Sequence, residues 1–172
     1  PGRTEALQDQ LYLNDGKGQF SPHLEMLSAP LLDTKCIVSF DANADGIEDI
    51  FIGGGFVPGT YGRSAGSALL TNTNGVLSDA TDKLAPELKD IGAIHTATTA
   101  DLDNNGIEEL ITAGPWEPIR SFNITDSGLV QNKLVYDMHG LWNTIMAVDL
   151  NADGFTDIIA GNRGNNSIFK AS

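Results

Sequence analysis

At 172 residues the chain has the length of a single domain, enough to bury a core of its own. Its formal charge of -13 excludes nucleic acid as the default partner, because a phosphate backbone attracts basic surfaces and repels acidic ones. No apolar run approaches the ~18 residues of a membrane span, and a lone Cys36 excludes an internal disulfide framework.

In chain order, Pro1-Gly2-Arg3-Thr4 carries neither an initiating methionine nor a signal peptide and reads as an excised or truncated start. Residues 10–20 read as strand, glycine-containing tight turn, strand. Residues 36–40 and 49–52 are short β-branched and apolar runs, the strand signature, with Cys36 expected as a small buried hydrophobe. A glycine-rich insertion carrying Tyr61 follows between 53 and 66, and residues 67–77 form a second hairpin pattern. The one helical signal spans 82–89, with Pro86 limiting its extent. Strands are predicted at 94–99 and 110–112, a third hairpin at 119–129, and strands again at 144–148 and 157–159. Residues 166–172 resemble the first strand of one more hairpin.

Between each strand pair lies an acidic turn, and the turn is repeated. The copies are Asp41-Ala42-Asn43-Ala44-Asp45-Gly46-Ile47-Glu48-Asp49, Asp101-Leu102-Asp103-Asn104-Asn105-Gly106-Ile107-Glu108-Glu109 and Asp149-Leu150-Asn151-Ala152-Asp153-Gly154-Phe155-Thr156-Asp157. Oxygen-bearing side chains stand at positions 1, 3, 5 and 9, with glycine at 6 for the sharp turn, which is what calcium requires of a loop. Position 7 would add a backbone carbonyl, from Ile47, Ile107 and Phe155. Helix-loop-helix calcium sites also need a glutamate at position 12, where this chain has Ile52, Thr112 and Ala160, so that fold is rejected. Asn/Asp/Gly clusters favour turns without any ion, but three copies in one register with matched flanking strands favour the metal reading. Magnesium demands a tighter octahedron, so calcium is expected, up to three ions. Nine of the 23 acids sit at these ligand positions, and three divalent ions would add six charges, taking -13 to -7. The second loop is expected to be the weakest, since Glu109 replaces an aspartate and Asn105 another.

The loops start 60 and then 48 residues apart, in or just above the range of propeller blades. Two hairpins per repeat make about four strands, the content of one blade. The expected fold is therefore all-β: residues 1–172 form a single segment of about three four-stranded β-propeller blades, a partial propeller or a piece of a larger one. Two such chains pairing edge to edge as a homodimer would close a six-blade ring.

Residues 40–54 and 148–161, each built around an acidic loop, resemble FG-GAP and VCBS repeats, as in the propeller of integrin alpha subunits and many bacterial surface proteins. Leu11-Tyr12-Leu13-Asn14-Asp15-Gly16-Lys17-Gly18-Gln19-Phe20 is similar to the hairpin that precedes the calcium loop in the bacterial members. The Phe-Gly half of the FG-GAP pattern is absent and only Ala113-Gly114-Pro115 matches its second half, which favours the bacterial VCBS-like branch. The resemblance implies a secreted or surface-exposed propeller with structural calcium, often inside a larger protein, and implies no particular ligand.

No catalytic constellation is expected. Gly62-Arg63-Ser64-Ala65-Gly66 matches the pattern of a serine nucleophile, but it lacks the preceding strand and following helix. His23, His95 and His139 are scattered, although His95 falls on the strand entering the second loop. Trp116 and Trp142 read first as packing between blades and second as aromatics for a sugar ring or a partner's pocket. The expected function is a noncatalytic, calcium-stabilised propeller module for extracellular binding or adhesion, with a protein or carbohydrate ligand. The alternative is a propeller part of a larger secreted polysaccharide-processing or other hydrolytic enzyme. Loops of this class fill at extracellular calcium of about 1 mM and not at cytosolic levels, so an extracytoplasmic location is expected.

Overall fold

The computed structural model describes residues 8–60, 62–135 and 138–164. Tyr61 and the strand read at 166–172 lie outside them. Regular structure is almost entirely strand: β1 Tyr12–Asn14, β2 Phe20–Pro22, β3 Leu27–Ser28, β4 Thr34–Phe40, β5 Asp49–Gly54, β6 Ala68–Thr73, β7 Val76–Asp79, β8 Thr96–Ala100, β9 Glu109–Ala113, β10 Pro115–Pro118, β11 Arg120–Thr125, β12 Gly128–Gln131, β13 His139–Val148 and β14 Asp157–Asn162. The helical segment divides at Pro86, whose missing N–H cannot continue a helix. It forms one turn, Thr81–Leu84, followed by a 3-10 turn, Pro86–Lys89.

The strands form blades. In the first, β4, β5, β6 and β7 make an antiparallel meander, with β3 added in parallel on β7. The second repeats the meander as β8-β9-β11-β12. The third shows its first two strands, β13 and β14, paired in the same way. The β1–β2 hairpin stands as its own two-stranded sheet. This is the propeller-blade architecture expected from the sequence.

The strand β10 departs from that expectation. Prolines at 115 and 118 argue against a strand, since each removes a ladder donor. It nonetheless pairs with β13 across the gap between blades, through a bulged register that matches Pro115 to Leu141 and Pro118 to His139. As an edge strand it needs fewer donors, and its Trp116 takes φ +65, a left-handed value uncommon for a bulky residue.

Packing between blades follows from the pleat. Counting each loop's first aspartate as position 1, positions 0, 2 and 11 face the following blade. In the first repeat these are Phe40, Ala42 and Phe51, all buried in one cluster with Leu110 and Phe122 of the second blade. In the second they are Ala100, Leu102 and Ile111, which pack on Ile145, Ile158 and Ala160 of the third. Residues at positions -3, 10 and 12 face the preceding blade: Ala97 and Leu110 in one interface, Ile145, Ile158 and Ala160 in the next. A period-2 alternation gives each strand two apolar faces because blades stack on both sides. Cys36 is partly buried against the first of these clusters, and burial pushes its thiol up to about 11, as befits a packing residue.

Candidate metal centre

Each acidic loop closes the hairpin between the first two strands of its blade, where Phe40 faces Asp49, Ala100 faces Glu109 and Val148 faces Asp157. All three loops fold alike. The position-1 aspartate accepts two backbone N–H groups: Asp41 from Asp45 (3.1 Å) and Gly46 (2.7 Å), Asp101 from Asn105 (3.1 Å) and Gly106 (2.8 Å), Asp149 from Asp153 (3.2 Å) and Gly154 (2.9 Å). Side-chain oxygens of Asn43, Asp103 and Asn151 accept the position-5 amide, and those of Asp45, Asn105 and Asp153 accept the amides of Ile47, Ile107 and Phe155.

These bonds draw the chain into a tight curl. Position 4 lies at φ +59, +58 and +59, and the glycine at φ +82, +88 and +87. Nothing stands within 4 Å of where a Cβ would sit on Gly46, Gly106 or Gly154, so glycine serves there for its backbone freedom and not for space. The position-7 side chains point to solvent. Asn104 Nδ2 donates to the Gly154 carbonyl at 3.2 Å, which sets the second and third loops side by side.

In the first two loops position 9 differs from the others because it lies inside, whereas Asp157 of the third is half-buried. Asp49 and Glu109 are fully buried beneath their loops. Asp49 accepts the N–H of Ala42 (3.2 Å) and of Asn72 on β6 (2.7 Å), Glu109 that of Leu102 (2.9 Å), and Asp157 that of Leu150 (3.1 Å). Burial raises the pKa of the Asp49 carboxyl, opposed by the two amides and reinforced by the charges of Asp45 and Asp41. Burial likewise raises Glu109, opposed by the Leu102 amide and reinforced by Asp103 and Asp101. A carboxylate disfavoured both by desolvation and by neighbouring anions is one that a cation would stabilise.

The donor set fits a hard divalent ion. In the second loop one carboxylate oxygen each from Asp101, Asp103 and Glu109 lies within 4.8 Å of the other two, the separation of groups that share one ion. In this loop aspartate stands at position 3 where the others have asparagine, and Glu109 takes position 9. The first and third loops offer the Asn43 and Asn151 amide oxygens at position 3 instead. The residues that would hold ions are thus Asp41, Asn43, Asp45, Ile47 and Asp49; Asp101, Asp103, Asn105, Ile107 and Glu109; and Asp149, Asn151, Asp153, Phe155 and Asp157. A bound calcium would supply charge neutralisation and a fixed turn.

The other candidates resolve as packing or lie at the opposite end of the blades. Ser64 Oγ donates to the Gly92 carbonyl at 2.5 Å and accepts the Gly66 N–H, a structural clamp on its loop. Trp142 packs between the second and third blades and donates Nε1 to the Met138 carbonyl. Trp116 is 44% exposed, with its ring 6.0 Å from Phe56, whose ring in turn lies 6.0 Å from His95 in an edge contact. Phe56 had no signal in the sequence beyond its place in a glycine-rich insertion.

Burial lowers the pKa of His95, the nearby Lys35 charge adds to this, and Asp33 opposes it; Nε2 is buried without a hydrogen-bond partner. Because the folded state binds this proton less readily than the unfolded chain, His95 costs stability as pH falls through and below its ordinary value of about 6.5. Between pH 7 and pH 5 the melting temperature of the native chain is expected to fall relative to that of His95→Gln. Parallel pH–melting curves for the two proteins would contradict this.

Residues 141–170, which include the third loop, match the family model of the FG-GAP repeat. No curated protein matches the chain. With the blade topology and the recurring loop already established, this match identifies the chain as one that carries the FG-GAP repeat, a β-propeller element.

Proposed function

We propose that the chain is a noncatalytic, calcium-stabilised propeller module that binds a protein or carbohydrate ligand outside the cytoplasm, as an adhesion or recognition element. The observation that carries this reading is the shared curl of three loops, over a buried position-9 carboxylate in the first two, with three carboxylates gathered in the second. Each loop crowds acids that repel one another and oppose the turn unless a cation offsets them. Loops of this chemistry fill at about millimolar calcium, which supports an extracytoplasmic setting. Among the described residues no helix is long and apolar enough to cross a membrane.

Recognition falls to the end of the blades away from the loops. Trp116 follows β9 there, half-exposed beside Phe56 and His95, with the Glu117–Arg120 ion pair (2.9 Å) adjacent in sequence. An exposed aromatic face flanked by charged donors and acceptors suits a sugar ring. On a carbohydrate array in calcium, the chain is expected to bind one or more glycans, with Trp116→Ala weakening binding about tenfold, or about 1.4 kcal/mol. No glycan bound by the folded, calcium-loaded chain would leave a protein ligand as the surviving form of the proposal.

A further inference from the structure

The end of the blades away from the acidic loops carries cations. Strand direction puts Lys35, Arg63, Lys83, Lys89, Arg120 and Lys133 there, at the start of β4 and β11 and on the segments that join β5 to β6, β7 to β8 and β12 to β13. No lysine or arginine stands in 41–49, 101–109 or 149–157. In a chain of formal charge -13 the two ends therefore offer an approaching anion opposite receptions.

Three of these cations are paired: Lys35 with Asp33 (2.9 Å), Lys89 with Asp82, and Arg120 with Glu117 (2.9 Å). Arg63 is exposed, and its guanidinium makes no ion pair or hydrogen bond among the described residues. It stands on the wall of a cavity of about 510 Å³, lined also by Val57, Ser64, Lys89, Asp90 and Gly92. The cavity adjoins the exposed aromatic pair. Phe56 is bridged to Ser64 across a short hairpin, and Ser64 Oγ donates to the Gly92 carbonyl. A Cβ added at Gly92 would stand 2.1 Å from a carboxylate oxygen of Glu117, the neighbour of Trp116, so Gly92 joins the cavity wall to β10.

We propose that this end takes an acidic glycan, with one ring against Trp116 and the carboxylate or sulfate of an adjoining sugar on Arg63. A guanidinium presents a planar fork of N–H donors that matches a pair of oxyanion oxygens, and charge-assisted bonds of this kind are among the stronger ones. Arg63 and Lys89 outnumber Asp90 on the cavity wall, and Asp90 supplies an acceptor for sugar hydroxyls. The inference rests on the reading of Trp116 as a glycan platform and names the class of glycan it would serve.

The test is an array of uronate-bearing, sulfated and neutral oligosaccharides, read in calcium. Hits should be confined to the acidic members, and the arm that binds tells carboxylate from sulfate. Titrated by calorimetry, the best hit should bind about tenfold more weakly once its carboxylates are reduced to alcohols or its sulfates removed, and Arg63→Ala should weaken the acidic form by as much. The neutralised glycan should bind the native chain and Arg63→Ala equally, because both changes remove one contact. Since Arg63 is exposed, the variant should keep the native circular-dichroism spectrum. Equal binding of acidic and neutral glycans, or an Arg63→Ala chain that binds the acidic form as the native one does, would overturn the inference and leave Trp116 as the glycan platform. An array on which the folded chain finds no hit would overturn it too, and would leave the protein-ligand form of the function standing.

Discussion

Removing calcium is expected to lower the melting temperature by several degrees per filled loop. At a free concentration a hundredfold above its dissociation constant, an ion bound only by the native state adds about 2.7 kcal/mol. For a chain of this length 1 kcal/mol corresponds to roughly 2–4 °C, so one site contributes on the order of 5–10 °C and three contribute more. The sign follows from the structure: burial pushes the pKa of Asp49 and Glu109 up, and the charges of neighbouring carboxylates add to it. A chelator restores that repulsion in the folded state and leaves the unfolded chain, where the acids separate, nearly unaffected. The check is differential scanning calorimetry in excess chelator and after adding calcium back. Superimposable melts would remove the structural-calcium proposal, and magnesium reproducing the full shift would replace calcium as its ion.

Truncating Phe51 is expected to be the most damaging single change to the blade stack. Its side chain is fully buried at position 11 of the first blade, in the cluster shared with Leu110, Phe122 and Leu129 of the second. Phe51→Ala should cost about 3–5 kcal/mol, the lost transfer energy plus an unfilled cavity. Little compensating collapse is expected, because Phe51 is enclosed by two hydrogen-bonded sheets and by Leu88, Ile91 and Ile94 of the connection between them, in a closely packed interior. Urea unfolding gives the measurement, and a loss below about 1 kcal/mol would mean that the interface between the first two blades is not the packed layer described above.

Much of this architecture is legible in the sequence because its signals are local. The acidic loops announce themselves by ligand spacing, and each is bracketed by β-branched runs that become β4 and β5, β8 and β9, β13 and β14. Hairpins such as β6–β7 are readable because Asn74 and Gly75 supply the positive φ that a tight turn needs. What sequence leaves dark depends on contacts between segments. Pro115-Trp116-Glu117-Pro118 forbids a central strand by its own composition, and only the nearby edge of β13 makes it an edge strand. Glu109 reads as a mismatch within its loop, yet its carboxylate lies with those of Asp101 and Asp103. Nor does the alternation of a strand say which of its two apolar faces meets the preceding blade, because both are apolar.

The Asp49 carboxylate has a mechanical consequence. One oxygen is bonded to Ala42 in the loop and the other to Asn72 on β6, so a single side chain rivets the turn, β5 and the third strand of the blade together. Hydrogen bonds to an ionised acceptor are among the stronger ones. A load that peels β6 away from β5 must therefore draw a buried carboxylate out of its socket before the ladder opens.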